Sequence, residues 1–375
     1  MLKNFIYLDN NATSLVHPEV QEFLLKLSNF PINPSAPHQF GTVGFTILEE
    51  ARSQILNMMN LNPKNFEVIF TSSGTESNNL VMHNFLEGNI IISDIEHPSI
   101  SAFETKSSRI YRVKTCKSGY IDLEDLESIL TKLGKFSKKN LCSFIYAHNE
   151  TGVIQKYAKE IVKLAHKFDF LVHSDMSQCP GRMELKELED LDFITLSAHK
   201  IGGLIGAGAI IKKKSLSITP LIIGGGQERN LRSGTENILS IACFGQIARI
   251  ISRDYQKIIS DAQFLRNFLE KKLTSELDFI RILHRDSLRL SNTSFFINLK
   301  KSSDVQIIEM DLEQIAISTG SACKARKQQT ENILHNQGYQ EKYLNSTIRI
   351  SLGIQNNLQD IQMFLSKYLF KNKDL

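Results

Sequence analysis

The sequence predicts an α/β protein: a large domain on a mostly parallel sheet flanked by helices, followed by a smaller α/β C-terminal domain. Three observations predict it. Between about residues 66 and 213, short β-branched runs alternate with amphipathic helical stretches, the pattern of a parallel sheet with helical crossovers. Several of these runs are apolar almost throughout, as strands covered on both faces must be. From Asp254 onward, Tyr255, Ile258, Ile259, Ala262, Leu265, Phe268, Leu269 and Leu273 repeat at helical spacing, which gives one long helix with a single apolar stripe.

The chain opens with a strand-like Phe5–Leu8. The strands expected in the large sheet are Val68–Thr71, Asn89–Ile92, Ile110–Val113, Leu141–Ala147, Phe170–His173, Phe193–Leu196 and Ala209–Ile211. The domain junction is expected where the long helix starts, dividing 14–255 from 256–375, with residues 1–13 joining the smaller part. In that part Thr293–Ile297 and Ile348–Leu352 read as strands among helices. Length is sufficient for a large core and two or three domains.

Composition narrows the function classes. With 44 basic and 40 acidic side chains among 375 residues, the formal charge is +4, and no basic tail of the nucleic-acid-binding kind is present. The five cysteines, Cys116, Cys142, Cys179, Cys243 and Cys323, are scattered, without the close pairs of a zinc site or a secreted disulfide framework. A soluble cytoplasmic protein is expected, because the N-terminus lacks the features of a secretion signal and the longest weakly polar run is about half the roughly 20 residues that cross a bilayer.

Ligands of open parallel sheets bind at the carboxyl ends of the strands. Polar residues follow five of the expected strands there: Ser72–Ser77, Glu96 with His97, His148–Glu150, Asp175 with Gln178, and Ser197 with His199 and Lys200. Each has a plain reading as a cap or turn; together they point to one shared site. Lys200 ends an apolar strand before Gly202 and Gly203, where it either snorkels into water or, partly buried, offers a neutral amine for a Schiff base with an aldehyde. Pyridoxal 5'-phosphate is that aldehyde in this reading. Ser73, Gly74 and Thr75 form a tight turn opening a helix, either an ordinary cap or an anion cradle in which Ser197 and His199 assist.

Asp175 suits a protonated pyridine nitrogen, and Gln178 the ring oxygen if a helix starts there. His97 before Pro98 is either a capped turn or a ring-stacking proton relay, and Asn149 either a turn residue or a ligand contact. Arg349 is either an exposed strand arginine or a two-point grip for an amino-acid carboxylate. Cys323, followed by Lys324, Arg326 and Lys327, reads as an exposed thiol favoured as thiolate.

These residues resemble the cysteine desulfurases, pyridoxal-phosphate enzymes of fold type I in the class V aminotransferase superfamily. The resemblance runs from about Tyr7 to Gly353. It rests on Tyr7–Thr13, Phe70–Asn79, His148–Val153, Ser197–Lys200, Ser318–Cys323 and, above all, Gly224–Asn237. It implies Lys200 as the aldehyde-binding lysine, Asp175 and Gln178 as ring contacts, and His97 stacked on the ring. Thr75, Ser197 and His199 would bind the phosphate, and Asn149 and Arg349 the substrate carboxylate.

Cys323 would be the persulfide carrier, and Thr235 would reach the phosphate site of the partner subunit in a homodimer. The implied reaction converts L-cysteine to L-alanine and hands sulfur to a protein acceptor such as an iron–sulfur scaffold, or to tRNA thiolation. An aminotransferase, a selenocysteine lyase and a non-catalytic assembly scaffold are the competing readings. The chain departs from the family pattern at Gly202–Gly206, at the basic residues after Cys323 and at Ile354. From the basic run, docking of an acidic patch on the acceptor is expected.

Overall fold

The computed structural model describes residues 5–134, 139–319, 335 and 338–373. Its main sheet has seven strands: β2 Phe66–Thr71, β3 Ile90–Ser93, β4 Ile110–Val113, β5 Asn140–Ile145, β6 Phe170–Asp175, β7 Phe193–Ser197 and β8 Gly208–Lys213. Their spatial order is β2-β8-β7-β6-β5-β3-β4. β4, β3, β5, β6 and β7 run parallel, and β8 runs antiparallel to both β7 and β2. The reversal has a simple cause. Only residues 198–207 separate β7 from β8, too few for the crossover of a dozen or more residues that a parallel neighbour needs.

Helices α1 Pro18–Leu27, α2 Gln39–Met58, α3 Gly74–His83, α4 Pro98–Ser101, α5 Leu123–Leu133 and α6 Ala158–Lys167 lie between these strands or precede them. Each face of the sheet has its own apolar layer. One gathers Ile55, Phe144, Val172, Phe244, Ile247 and Ile251; the other gathers Leu80, Phe85, Ile92, Phe193 and Ile210. Helix α7, Ile238–Glu276, packs along α2, and the two backbones meet at Gly245, where a Cβ would stand 2.7 Å from the Ala51 Cα. Any larger residue there forces the helices apart.

α7 begins sixteen residues before the apolar stripe that announces it. The stretch from Ile238 to Ile251 is apolar on most sides, so no single stripe marks it as a helix. Its backbone leaves helical geometry at Asp254 (φ −107°, ψ 16°), and beyond that point Leu265, Leu269 and Leu273 enter a separate core with Leu8, Phe296, Ile348, Phe364 and Tyr368. That core surrounds an antiparallel sheet of β9 Ile280–Ile282, β10 Thr293–Asn298 and β12 Thr347–Ser351, covered by α8 Ser303–Leu312 and α9 Leu358–Asn372. The N-terminal strand β1, Ile6–Tyr7, pairs in parallel with β11, Ile315–Ala316, and a bridge from Asp9 to Ser351 ties it to β12.

Candidate functional site

At the carboxyl ends of β2, β5, β6 and β7 lies a cleft of about 260 Å³. Gly74, Thr75, His97, Asn149, Asp175, Gln178, Ser197, His199, Lys200 and Arg349 line it, joined by Asn11, Ser73, Asn78, Ser99, Ile145 and Ser177. Strand direction explains the convergence: each parallel strand delivers its next few residues to the same rim.

β2 ends at Thr71, and Ser73 caps α3 by accepting from the Glu76 N–H at 3.2 Å. The cap reading of Ser73 therefore holds, and Gly74 and Thr75 open the helix against the cleft. At Gly74 a Cβ would lie 3.3 Å from Ser197 Cβ and 3.4 Å from Ser177 Oγ, so a side chain there would fill the space between the strand ends. Backbone amides of a first helical turn have no partner within the helix, which makes such a turn receptive to an anion.

The turn Ala198–Lys200 brings Lys200 inward rather than into water. Its Nζ donates to the carbonyls of Asn11 at 2.9 Å and Ala12 at 2.8 Å. Burial, then the adjacent Lys200, hold His199 down to about 4, so its imidazole is neutral at pH 7. Asp175, the last residue of β6, accepts from Asn78 Nδ2 at 2.8 Å and from the Ser177 N–H at 3.0 Å. Beyond Asp175 the chain makes a turn, not the helix on which Gln178's reach was conditional. Gln178 still lines the cleft, with Nε2 donating to the Asn11 carbonyl at 3.0 Å and Oε1 accepting from Arg182.

The cap reading of His97 holds, and the residue also reaches the cleft. It caps α4, with Nδ1 accepting from the Ser99 N–H at 3.1 Å, and it lines the cleft. Next to it Glu96 is fully buried, its Oε1 receiving Ser93 Oγ at 2.5 Å and the Ile145 N–H at 2.7 Å; burial pushes its carboxyl up to about 8.

Arg349 is not the exposed strand arginine of the alternative reading. It is 1% exposed, paired with Asp9 Oδ1 at 2.5 Å and Glu150 Oε1 at 2.8 Å, and donates to the Asn149 carbonyl at 3.2 Å. Burial opposes its charge, and Glu150 and Asp9 more than offset that, raising its pKa. A carboxylate ligand reaching this guanidinium meets a group already held by two acids.

Of the remaining expected residues, one lies elsewhere and one is not described. Thr235 is exposed on the loop before α7 and does not line the cleft, and Cys323 falls outside the described residues. Asn11 is one of the site residues that sequence reasoning passed over. Besides its carbonyl contacts, Nδ2 donates to the Asn149 carbonyl at 2.9 Å and Thr293 Oγ1 at 3.0 Å, and Oδ1 accepts from Arg182 at 3.1 Å and Asn292 at 3.2 Å. It joins the cleft to the second core. Its place in Tyr7–Thr13 was the signal, but nothing in that run assigns it partners so distant in sequence.

A pyridoxal-type group fits this donor set. The Asn78 Oδ1 and Asn149 Oδ1 atoms are buried at the cleft without partners among the described residues, and the Gly74 turn leaves room for an anion beside Ser197. Buried polar atoms left without partners in the protein call for a ligand or water to satisfy them. Among the described residues no group of three or more His, Cys, Asp or Glu is placed to hold a metal ion, and no helix is long and apolar enough to cross a membrane.

Residues 6–364 match the class-V aminotransferase family. The chain is 30% identical over 376 residues to the protein named cysteine desulfurase IscS of Dictyoglomus turgidum, covering 97% of this chain and 93% of that protein. It is 32% identical over 359 residues to cysteine desulfurase 2 of Trichormus variabilis, covering 93% and 88%. Among solved structures it resembles a NifS-like protein from Rickettsia africae with a TM-score of 0.88 and 37% identity, covering 98% of this chain and all of that one.

Proposed function

This chain belongs to the class-V aminotransferase family, with cysteine desulfurases of the NifS and IscS kind as its relatives, and on that premise we propose that it is a pyridoxal 5'-phosphate-dependent cysteine desulfurase. It takes sulfur from L-cysteine, leaves L-alanine, and passes the sulfur from Cys323 to a protein acceptor such as an iron–sulfur scaffold. One observation carries this reading. The Lys200 amine, the Asp175 carboxylate, the His97 imidazole and the open turn at Gly74 face a single cleft at the strand ends.

When bound, the cofactor supplies an aldehyde for an amine and a ring that accepts electron density from the substrate carbon. Lys200 is the residue that meets the aldehyde, and the Asn11 and Ala12 carbonyls hold its amine in reach. Asp175 holds a proton on the ring nitrogen, supported by the two donors that keep it an acceptor. Thr75, Ser197, neutral His199 and the first amides of α3 hold the phosphate. Gln178 contacts the ring edge, and Asn149 and Arg349 orient the substrate carboxylate.

Thr235, exposed before α7, reaches the phosphate of a partner subunit, which makes the protein a homodimer with shared sites; a cytoplasmic location belongs to the same reading but does not depend on that contact. The division into 14–255 and 256–375 with 1–13 belongs to the same reading, supported by the break at Asp254 and the separate cores on either side of it. The test is incubation with L-cysteine under reducing conditions. Equal amounts of alanine and sulfide, and a 32-dalton gain on the Cys323 peptide when reductant is withheld, are expected. Alanine with no added sulfur on that peptide contradicts the role of Cys323.

A further inference from the structure

Asn78, in the second turn of α3, is 1% exposed and has one side-chain nitrogen serving two partners. Nδ2 donates to Asp175 Oδ2 at 2.8 Å and to Ser99 Oγ at 2.8 Å. A carboxylate only accepts, so the amide has a single allowed orientation; flipping it would aim Oδ1 at a buried negative charge. Ser99 Oγ, accepting from Asn78, has its own proton directed at His97 Nδ1, 2.8 Å away, while the Ser99 backbone N–H donates to the same nitrogen at 3.1 Å. With two donors aimed at Nδ1, the proton of the neutral ring resides on Nε2. Asn78 Oδ1 is buried at the cleft wall without a partner among the described residues.

We propose that Asn78 is a positioning residue that joins Asp175 and His97 into one hydrogen-bond chain of fixed direction, keeping Asp175 an acceptor toward the cleft and the Ser99 hydroxyl a donor to His97 Nδ1. The inference rests on reading the cleft as the pyridoxal phosphate site, since it assigns the partners of the two groups expected at that ring. Its physical content is the count of protons: the amide has two, both committed, so neither Asp175 nor His97 changes its hydrogen-bond role without the other end of the chain responding. A scaffold asparagine that merely fills space imposes no such polarity.

Long-range ¹H–¹⁵N spectra of histidine-labelled protein, taken without added cofactor at a pH where the imidazole is neutral, read the His97 form directly. Wild type is expected to show Nε2 protonated and Nδ1 bare. Asn78→Ala frees the Ser99 hydroxyl to turn away from Nδ1, so the His97 Nδ1 shift moves while the Ser99 backbone N–H keeps the Nε2–H form, and pyridoxal phosphate binding to the apoprotein weakens about tenfold or more. Ser99→Ala moves the His97 shifts while changing that affinity less than about threefold, because Asp175 keeps its amide donor.

If Asn78→Ala does not fold, Asn78→Asp keeps the shape and removes the donor, with the same two changes expected. His97 shifts and cofactor affinity that match wild type in a folded Asn78 variant overturn the proposal. A wild-type protein that takes up no pyridoxal phosphate overturns the reading of the cleft, and the His97 spectra, being free of cofactor, then decide the chain by themselves.

Discussion

Two buried charged regions lie within a few residues of each other along β2, and they are finished differently. At the first, Arg52 gives both terminal nitrogens to Glu228 at 2.8 Å and its Nε to Glu49 at 2.9 Å, while the Phe70 N–H donates to Glu228 at 2.8 Å. The pair clamps a stretch in which Glu228, Arg229 and Asn230 all hold positive φ, a conformation that costs energy in residues with a Cβ and persists where neighbours impose it. At the second, the cleft beyond Thr71, the buried oxygens of Asn78 and Asn149 have no protein partner among the described residues. A closed network stabilises the fold; an open one is shaped for something the chain does not supply. Loss of a side chain should therefore read out as lost stability in the first region and as lost chemistry in the second.

The largest expected effect is at the cleft. Lys200→Ala abolishes alanine formation and the absorption band of the bound cofactor, with circular dichroism unchanged. A variant that still turns over L-cysteine breaks the contrast. Next comes the clamp. Arg52→Ala leaves Glu228 buried without its partner and is expected to cost about 3–5 kcal/mol in urea unfolding, while the molecules that remain folded bind cofactor as wild type does. Equal stability of that variant would show the clamp to be ornamental.

Asp175→Asn is expected to lower kcat/KM on the order of 10²- to 10³-fold with stability little changed, since it removes a charge aimed at the cleft rather than a packing contact. The smallest effect sharpens the boundary between the regions. His148, beside Asn149, is held down to about 3, first by burial and then by His284 and Arg349. The unfolded chain takes up that proton near pH 6.5 and the folded one does not. The histidine's contribution to stability is thus level above about pH 7 and declines as pH falls below 6.5.

Glu96, pushed up to about 8, works in the opposite sense between about pH 4.5 and 8, so the paired difference isolates the histidine. Unfolding free energies of wild type and His148→Gln, from urea titrations, are expected to converge between pH 7.5 and pH 5 by about 1–2 kcal/mol. A pH-independent difference contradicts the assignment of His148 as neutral.

Much of the sheet was legible because its strands are short, apolar and separated by amphipathic stretches. Strand direction was less so: β8 reads like its neighbours, and only the short link from β7 reverses it. The first half of α7 escaped notice because a helix buried on most sides has no stripe. At the cleft, the residues just past each strand end were legible from position and chemistry alone, with Lys200, Asp175 and His97 among them. Asn11 and Asn78 were not, since an asparagine's role is set by partners it meets only after folding, here Asp175 and Ser99 for one and Arg182 and Thr293 for the other. Arg349 was legible as a cation but not as a buried one, because the acids that make its burial tolerable, Asp9 and Glu150, come from two distant segments.

Reduction of the purified, cofactor-loaded protein with borohydride, followed by digestion and mass spectrometry, tests the central claim most directly. The account requires one peptide, the one containing Lys200, to carry a pyridoxyl phosphate adduct and its absorbance. An adduct on any other lysine, or none at all, contradicts it.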